Sequence, residues 1–238
     1  MRRALMASLA TTASSVRPLV IMLHGSGDTG RGVEAWVSSL LPRDEFKAFD
    51  WEFPTAKIIP YTLNGGAPSS VWYDRVGGFE PRYPEQTPSV ERSAKQVLDV
   101  IDAAVKRGVP PSKIAVGGFS MGGNLAYQTA ARYHADASRP PLGAIFGLSC
   151  YMTDDSKAHD LIAKSGAAWP PVYVAHGAAD DFILPQWGRA TFDRVKGAGV
   201  DAFWRSIPGA RHEMTSPEMA EVVAFLKGRL NLPAADGL

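Results

Sequence analysis

Gly118-Phe119-Ser120-Met121-Gly122 reads G-x-S-x-G between two stretches of opposite habit. Ahead of it, Lys113-Ile114-Ala115-Val116-Gly117 is a short apolar run that predicts a buried strand. After it, Asn124 to Ala131 predicts a helix. A serine at a sharp strand-to-helix turn takes a strained backbone conformation, and flanking glycines let neighbouring chain pass without a Cβ clash. Its hydroxyl then stands at a helix N-terminus, where N–H groups and the helix dipole favour developing negative charge. The competing reading is a pentapeptide that falls in a loop by chance. The surrounding chain decides between them.

That chain alternates apolar runs with helical patterns. Strands are predicted at Pro18–Leu23, Ala56–Pro60, Ile114–Gly117, Leu142–Leu148, Pro171–Ala175 and Val200–Ile207. Thr87 is predicted to cap a helix with Pro88 in its first turn. Val90, Ala94, Val97, Leu98, Ile101, Ala104 and Val105 then mark one apolar face up to Gly108. Further helices are expected at 156–165, 187–196 and 217–230. Runs apolar on both faces, alternating with helices, predict an α/β domain with a mostly parallel sheet covered on both sides. The expected division is a flexible segment at 1–17, one domain at 18–231 and a tail at 232–238. Residues 61–88 show no period and hold two glycine pairs, so they are expected to form the rim or lid of a site.

Composition excludes several functions. The 238 residues carry a formal net charge of +1, so neither a basic field for nucleic acid nor an acidic tail is present. No apolar run approaches the ~20 residues of a membrane span, which argues against stable membrane insertion. The single cysteine, Cys150, precludes an intrachain disulfide and follows a strand-like run; a buried inert thiol in a reducing compartment, the cytoplasm, is expected. An organelle-targeting role for the acid-free, arginine-bearing first 17 residues is the alternative.

A serine needs a base to take its proton and a third group to orient that base. His212 lies in the loop between the last strand and last helix, where an open α/β sheet builds its site; it is the expected base. His134 and His159 fall on helices, and His176 ends a strand. One strand before His212, Asp180 and Asp181 offer adjacent carboxylates; Asp180 is the first choice for the acid and Asp181 the second. Two backbone donors are needed for an oxyanion, and the N–H groups of Met121 and Ser26 are expected to supply them. No metal or cofactor is required by this chemistry.

The loop that holds Ser26 supports a rival. Gly25-x-Gly27-x-x-Gly30 follows a strand and matches the dinucleotide fingerprint, with Glu45 or Asp50 at the distance of its ribose-binding acid. Against it, Arg31-Gly32 is expected to interrupt the helix that the fingerprint requires, and Ser120, Asp180 and His212 stay unexplained.

Five ordered motifs carry a resemblance: Leu23–Gly30, Val71-Trp72-Tyr73-Asp74, Gly117–Gly123, His176-Gly177-x-x-Asp180, and His212. Together they resemble the acyl-protein thioesterase/lysophospholipase family, and most closely its lysophospholipase-like branch, from about Leu19 to Leu230. The resemblance implies a single-domain α/β-hydrolase that cleaves acyl esters or thioesters without a cofactor, with S-depalmitoylation of proteins or lysophospholipid hydrolysis as its possible extensions. It implies the triad Ser120, Asp180 and His212, the oxyanion donors Ser26 and Met121, and substrate-binding positions at Trp72, Gly25 and Phe182. Met121 stands where many of these thioesterases have Gln, and Ser26 where the long-chain ones often have Leu. A small-ester carboxylesterase without a protein substrate, or a non-catalytic acyl-binding protein on this fold, are the alternatives.

Overall fold

A computed structural model describes residues 16–165 and 169–232. Six strands form one parallel sheet in the order β2-β1-β5-β6-β7-β8. These are β1 (Leu19–Leu23), β2 (Asp50–Glu52), β5 (Ile114–Phe119), β6 (Ala144–Leu148), β7 (Val172–Gly177) and β8 (Ala202–Ile207). The chain starts at β1, steps outward to β2, then crosses back to β5 on the other side of β1 and proceeds to β8. The direction of winding therefore reverses at the β1/β5 boundary, where loops leaving the two strand ends part and open a crevice.

Each inner strand is apolar throughout because both its faces are covered. Leu19, Ile21 and Leu23 of β1 face a core built with α3 (Thr87–Lys106), α4 (Met121–His134), α5 (Lys157–Ser165) and α6 (Pro185–Gly197). Val20 and Met22 face the opposite core, with α1 (Gly30–Leu40) and α7 (Ser216–Arg229). Along α3, Val90, Ala94, Val97, Ile101 and Ala104 are buried, as their spacing predicts. Leu98 is only half-buried, and Val105, at the edge of the stripe, is exposed. No helix among the described residues is long and apolar enough to cross a membrane.

Several local expectations fail for identifiable reasons. Helix α1 opens at Gly30 and runs through Arg31-Gly32, because the Thr29 hydroxyl caps it by accepting from the Gly32 N–H at 3.0 Å. The short β2 and α2 (Arg43–Lys47) were not foreseen. The strand expected at Ala56–Pro60 does not join the sheet. It forms β3 (Ile58–Tyr61), paired antiparallel with β4 (Ala67–Ser70) in a separate hairpin where Pro60 faces Pro68, two residues that cannot donate to a ladder. Residues 61–88 thus contain a strand and the start of α3. Thr87 is the first residue of α3 rather than its cap; its hydroxyl turns to Glu85 at 3.3 Å instead.

Of the expected flexible N-terminal segment, residues 1–15 lie outside the described residues. Arg17 is seated, pairing with Asp50 at 3.3 Å and donating to the Phe49 carbonyl at 2.9 Å. Of the expected tail, 233–238 lie outside the described residues, while Leu232 packs on the α7 side of the core.

Candidate active site

Ser120 sits between the last residue of β5 and the first of α4 with φ 55° and ψ −118°. A non-glycine residue in this region costs of order 1–3 kcal/mol and persists only where its surroundings enforce it. The enforcement is visible. The Ser120 N–H donates to the Leu148 carbonyl at 2.8 Å, and its carbonyl accepts from the Asn124 N–H at 3.2 Å. The start of α4 is also pressed against the end of β1. A Cβ on Gly122 would collide with the Leu23 and His24 carbonyl oxygens, and one on Gly118 with the Gly122 backbone.

The three side chains expected to cooperate form one hydrogen-bonded chain. The Ser120 Oγ lies 3.0 Å from His212 Nε2, and His212 Nδ1 lies 2.8 Å from Asp180 Oδ2. An ionised carboxylate can only accept, so Nδ1 carries the ring hydrogen and the Nε2 lone pair faces the serine hydroxyl. The His212 ring is flanked by Phe119 (centroids 4.7 Å apart) and Phe182 (5.1 Å).

Asp180 is buried at the end of β7. Its Oδ1 accepts from the Phe182 N–H at 3.0 Å and the Ile183 N–H at 2.8 Å, which fixes the carboxylate plane. Asp181, the second choice for the acid, instead points into solvent and pairs with Arg211. His176 Nε2 lies 2.8 Å from the Ile183 carbonyl and 3.4 Å from Asp180 Oδ2, so this ring braces the acid's loop from inside; burial lowers its pKa and keeps it neutral. His134 and His159 take no part. Burial pushes the His134 ring down to about 4, and His159 Nε2 lies 3.0 Å from the Thr153 carbonyl.

Of the expected oxyanion donors, Met121 follows the serine in the chain and Ser26 follows Gly25 in the loop after β1. Met121 opens α4, and the first N–H groups of a helix have no partner within it. Ser26 lies in the exposed loop after β1, and Gly25 before it lies against Phe119 and Ser120; a Cβ there would stand 3.6 Å from the Ser120 Cβ. Among the described residues, neither the Ser26 nor the Met121 N–H has a backbone partner.

Trp72 does not lie open to a substrate. It is 1% exposed, its indole N–H donates to the His24 carbonyl at 2.9 Å, and its backbone N–H donates to Met121 Sδ at 3.3 Å. It is a strut behind the loop after β1. Phe182, by contrast, is 49% exposed at the mouth of the site, against Phe79 at 4.8 Å. His24 was not foreseen as a site residue. Its Nδ1–H donates to its neighbour Gly25 O at 2.7 Å and its Nε2 accepts from the Ala56 N–H at 3.0 Å, so it ties the loop to the hairpin; burial lowers its pKa and favours this neutral form. Tyr73, Arg75 and Asn124 were also missed, although Tyr73 stands beside Trp72 in one of the quoted motifs.

The dinucleotide reading is not supported by the placement of its acids. Helix α1 does follow the glycine loop, so that objection falls. Yet Asp50 pairs in register with Leu19, at the end of the sheet opposite the loop, and Glu45 lies on α2 in an ion pair with Lys227 at 2.5 Å. No group of three or more His, Cys, Asp or Glu side chains suited to a metal occurs among the described residues. Cys150 is buried, and burial pushes its thiol up to about 12.

Known proteins are similar to this chain across nearly its whole length. A profile of the phospholipase/carboxylesterase family matches residues 6–230. Lysophospholipase-like protein 1 of Mus musculus is 33% identical over 212 residues, covering 89% of this chain and 86% of its own. Acyl-protein thioesterase 1 of Gibberella zeae is 30% identical over 223 residues, covering 92% and 93%. Among solved structures, Arabidopsis thaliana SOBER1 superposes with a TM-score of 0.76 at 27% identity, over 90% of this chain and 99% of its own. Zea mays acyl-protein thioesterase 2 gives 0.71 at 26%, over 90% and 94%. The chain therefore belongs to the phospholipase/carboxylesterase family of α/β-hydrolases.

Proposed function

We propose that this protein is a serine hydrolase that cleaves acyl esters and thioesters through an acyl-enzyme on Ser120. The observation that carries the reading is the unbroken chain from Ser120 Oγ through His212 to the buried Asp180, with steps of 3.0 and 2.8 Å. In the first half-reaction His212 Nε2 takes the hydroxyl proton as Oγ attacks the carbonyl carbon. Negative charge gathers on the carbonyl oxygen, which the Ser26 and Met121 N–H groups face, and Asp180 stabilises the imidazolium. The tetrahedral intermediate collapses; His212 gives its proton to the leaving alkoxide or thiolate. Water then repeats the sequence and frees the acid. Phe182, with Gly25 at its side of the serine, offers an apolar edge to the acyl or leaving group.

Relatives named as acyl-protein thioesterases and as lysophospholipase-like support S-acylated proteins or lysolipids as substrates. A small-ester carboxylesterase is the second reading, favoured by the burial of Trp72, which leaves it no open face for an acyl chain. A cytoplasmic place of action, expected from the lone cysteine, belongs to the same proposal.

The test is hydrolysis of p-nitrophenyl esters of graded acyl length, beside S-acylated peptides, with the Ser120→Ala variant in parallel and a fluorophosphonate probe for the nucleophile. Turnover confined to short esters selects the second reading. An acyl-binding protein without activity would turn over none of them.

A further inference from the structure

Arg75 is a buried cation without a carboxylate. It is 8% exposed, and among the described residues no acid lies within ion-pair distance of its guanidinium. Its neighbour Asp74 is turned elsewhere, accepting from the Thr62 N–H at 2.8 Å and the Thr62 hydroxyl at 2.6 Å. The partners of Arg75 are phenols: Nη1 donates to the Tyr151 hydroxyl and Nη2 to the Tyr73 hydroxyl at 3.1 Å. Burial raises the pKa of both tyrosines, so they stay neutral and leave the positive charge uncancelled. A charge withdrawn from water is costly when it is not paired, and hydroxyl dipoles and aromatic faces offset only part of that cost.

The position of this charge is informative. The Tyr73 hydroxyl also accepts from Asn124 Nδ2 at 2.7 Å, so both its lone pairs are taken. Asn124 lies in the first turn of α4, and its N–H holds the Ser120 carbonyl at 3.2 Å. One guanidinium is thus connected through Tyr73 to the helix start that carries Met121, while Trp72, next to Tyr73, holds the His24 carbonyl at the foot of the Ser26 loop.

We propose that Arg75 is a positioning residue for the oxyanion pocket: through Tyr73 and Asn124 it fixes the first turn of α4 against the loop after β1, and its charge biases the pocket toward an anionic tetrahedral state. This rests on acyl transfer at Ser120.

The experiment measures p-nitrophenyl acetate hydrolysis and phenylboronic acid binding in Arg75→Met, Arg75→Lys, Tyr73→Phe and the Arg75→Met/Tyr73→Phe double variant, with thermal unfolding of each. The boronic acid forms a B–O bond to Ser120 Oγ, the hydroxyl proton passes to His212, and the boron becomes a tetrahedral anion. Arg75→Met and Tyr73→Phe are each expected to lower kcat by about 10- to 100-fold, with KM within about threefold, and to weaken boronate binding by a similar factor. Arg75→Lys should recover part of both losses. The double variant should be no worse than Arg75→Met alone, since both act along one path. A kcat within twofold of wild type in Arg75→Met, losses that multiply in the double variant, or a kcat loss that only tracks the unfolded fraction each overturn the proposal. If Arg75→Met does not fold, Tyr73→Phe and Arg75→Lys decide by the same readings. Wild-type turnover in Ser120→Ala would instead defeat the acyl-transfer reading, a result distinct from an unaffected Arg75 variant.

Discussion

Asp180 and Asp181 are neighbours in the chain and opposites in the fold: Asp180 is buried against His212 at 2.8 Å, and Asp181 stands in solvent beside Arg211. The backbone turns after β7 so that only the first side chain points inward, where two N–H groups wait for it. Asp180→Asn is expected to lower kcat by about 10³–10⁴-fold, because an amide in its place favours the wrong imidazole tautomer. Asp181→Asn should stay within about twofold. Steady-state kinetics on one activated ester compare them, and similar losses in both would remove the distinction.

The strain at Ser120 makes a prediction that separates stability from activity. Ser120→Ala should abolish turnover with little change in unfolding temperature. Ser120→Gly should be equally inactive yet more stable, by about 1–2 kcal/mol, since glycine takes φ 55° without a Cβ penalty. Denaturant titration of the two variants reads the difference directly.

Gly122 touches two carbonyl oxygens of β1's end through what would be its Cβ. Gly122→Ala is expected to destabilise by about 3 kcal/mol or more, because backbone cannot give way as a side chain tip can. Chemical denaturation beside the wild type measures it. A loss under about 1 kcal/mol would show that α4 can slide.

Trp72→Phe removes the donor that holds the His24 carbonyl while keeping an aromatic ring. If the indole is a strut, kcat should fall by about tenfold and by the same factor for acetyl and octanoyl esters. A residue in contact with the acyl chain would lose more with the longer one. An acyl-length series on this variant discriminates.

Glu218 gives a pH dependence. It is 1% exposed in the first turn of α7, where its Oε2 accepts from the Thr215 N–H at 3.2 Å while Oε1 is buried without a partner; burial pushes its carboxyl up to about 7. The folded state therefore binds a proton more tightly than the unfolded chain. Its contribution is full below pH 4.5 and is lost as pH rises through 7. Glu218→Gln keeps the acceptor and removes the titration. Its stability relative to wild type should climb between pH 5 and 8 by about 2–3 kcal/mol. Taking this difference cancels the buried histidines, whose lowered pKa values make both proteins weaker toward acid. A difference that is flat with pH would refute the assignment.

The parts of this fold that could be read ahead were those where one local rule acts alone. The doubly apolar run of β5, the elbow glycines and the stripe along α3 each announce themselves. The grouping of Ser120, Asp180 and His212 was legible because these residues sit just past strand ends, where topology sends them to one edge. What could not be read depended on partners that neither period nor composition marks. A single threonine hydroxyl carries α1 past two weak helix formers, and two facing prolines send β3 out of the sheet. Trp72 could be linked to the site but not to its back wall, since that depends on which way a loop turns 48 residues away.

The winding reversal between β1 and β5 has a practical consequence. Ser120, Asp180 and His212 all belong to the half of the molecule after α3, whereas Ser26 and the Arg75 cluster belong largely to the half before it. Cleaving the exposed connection near Gly108 would leave Ser120, Asp180, His212 and the Met121 N–H on one fragment and the Ser26 N–H with Arg75 on the other. Neither should turn over ester alone, and mixing them should restore a working enzyme along the seam.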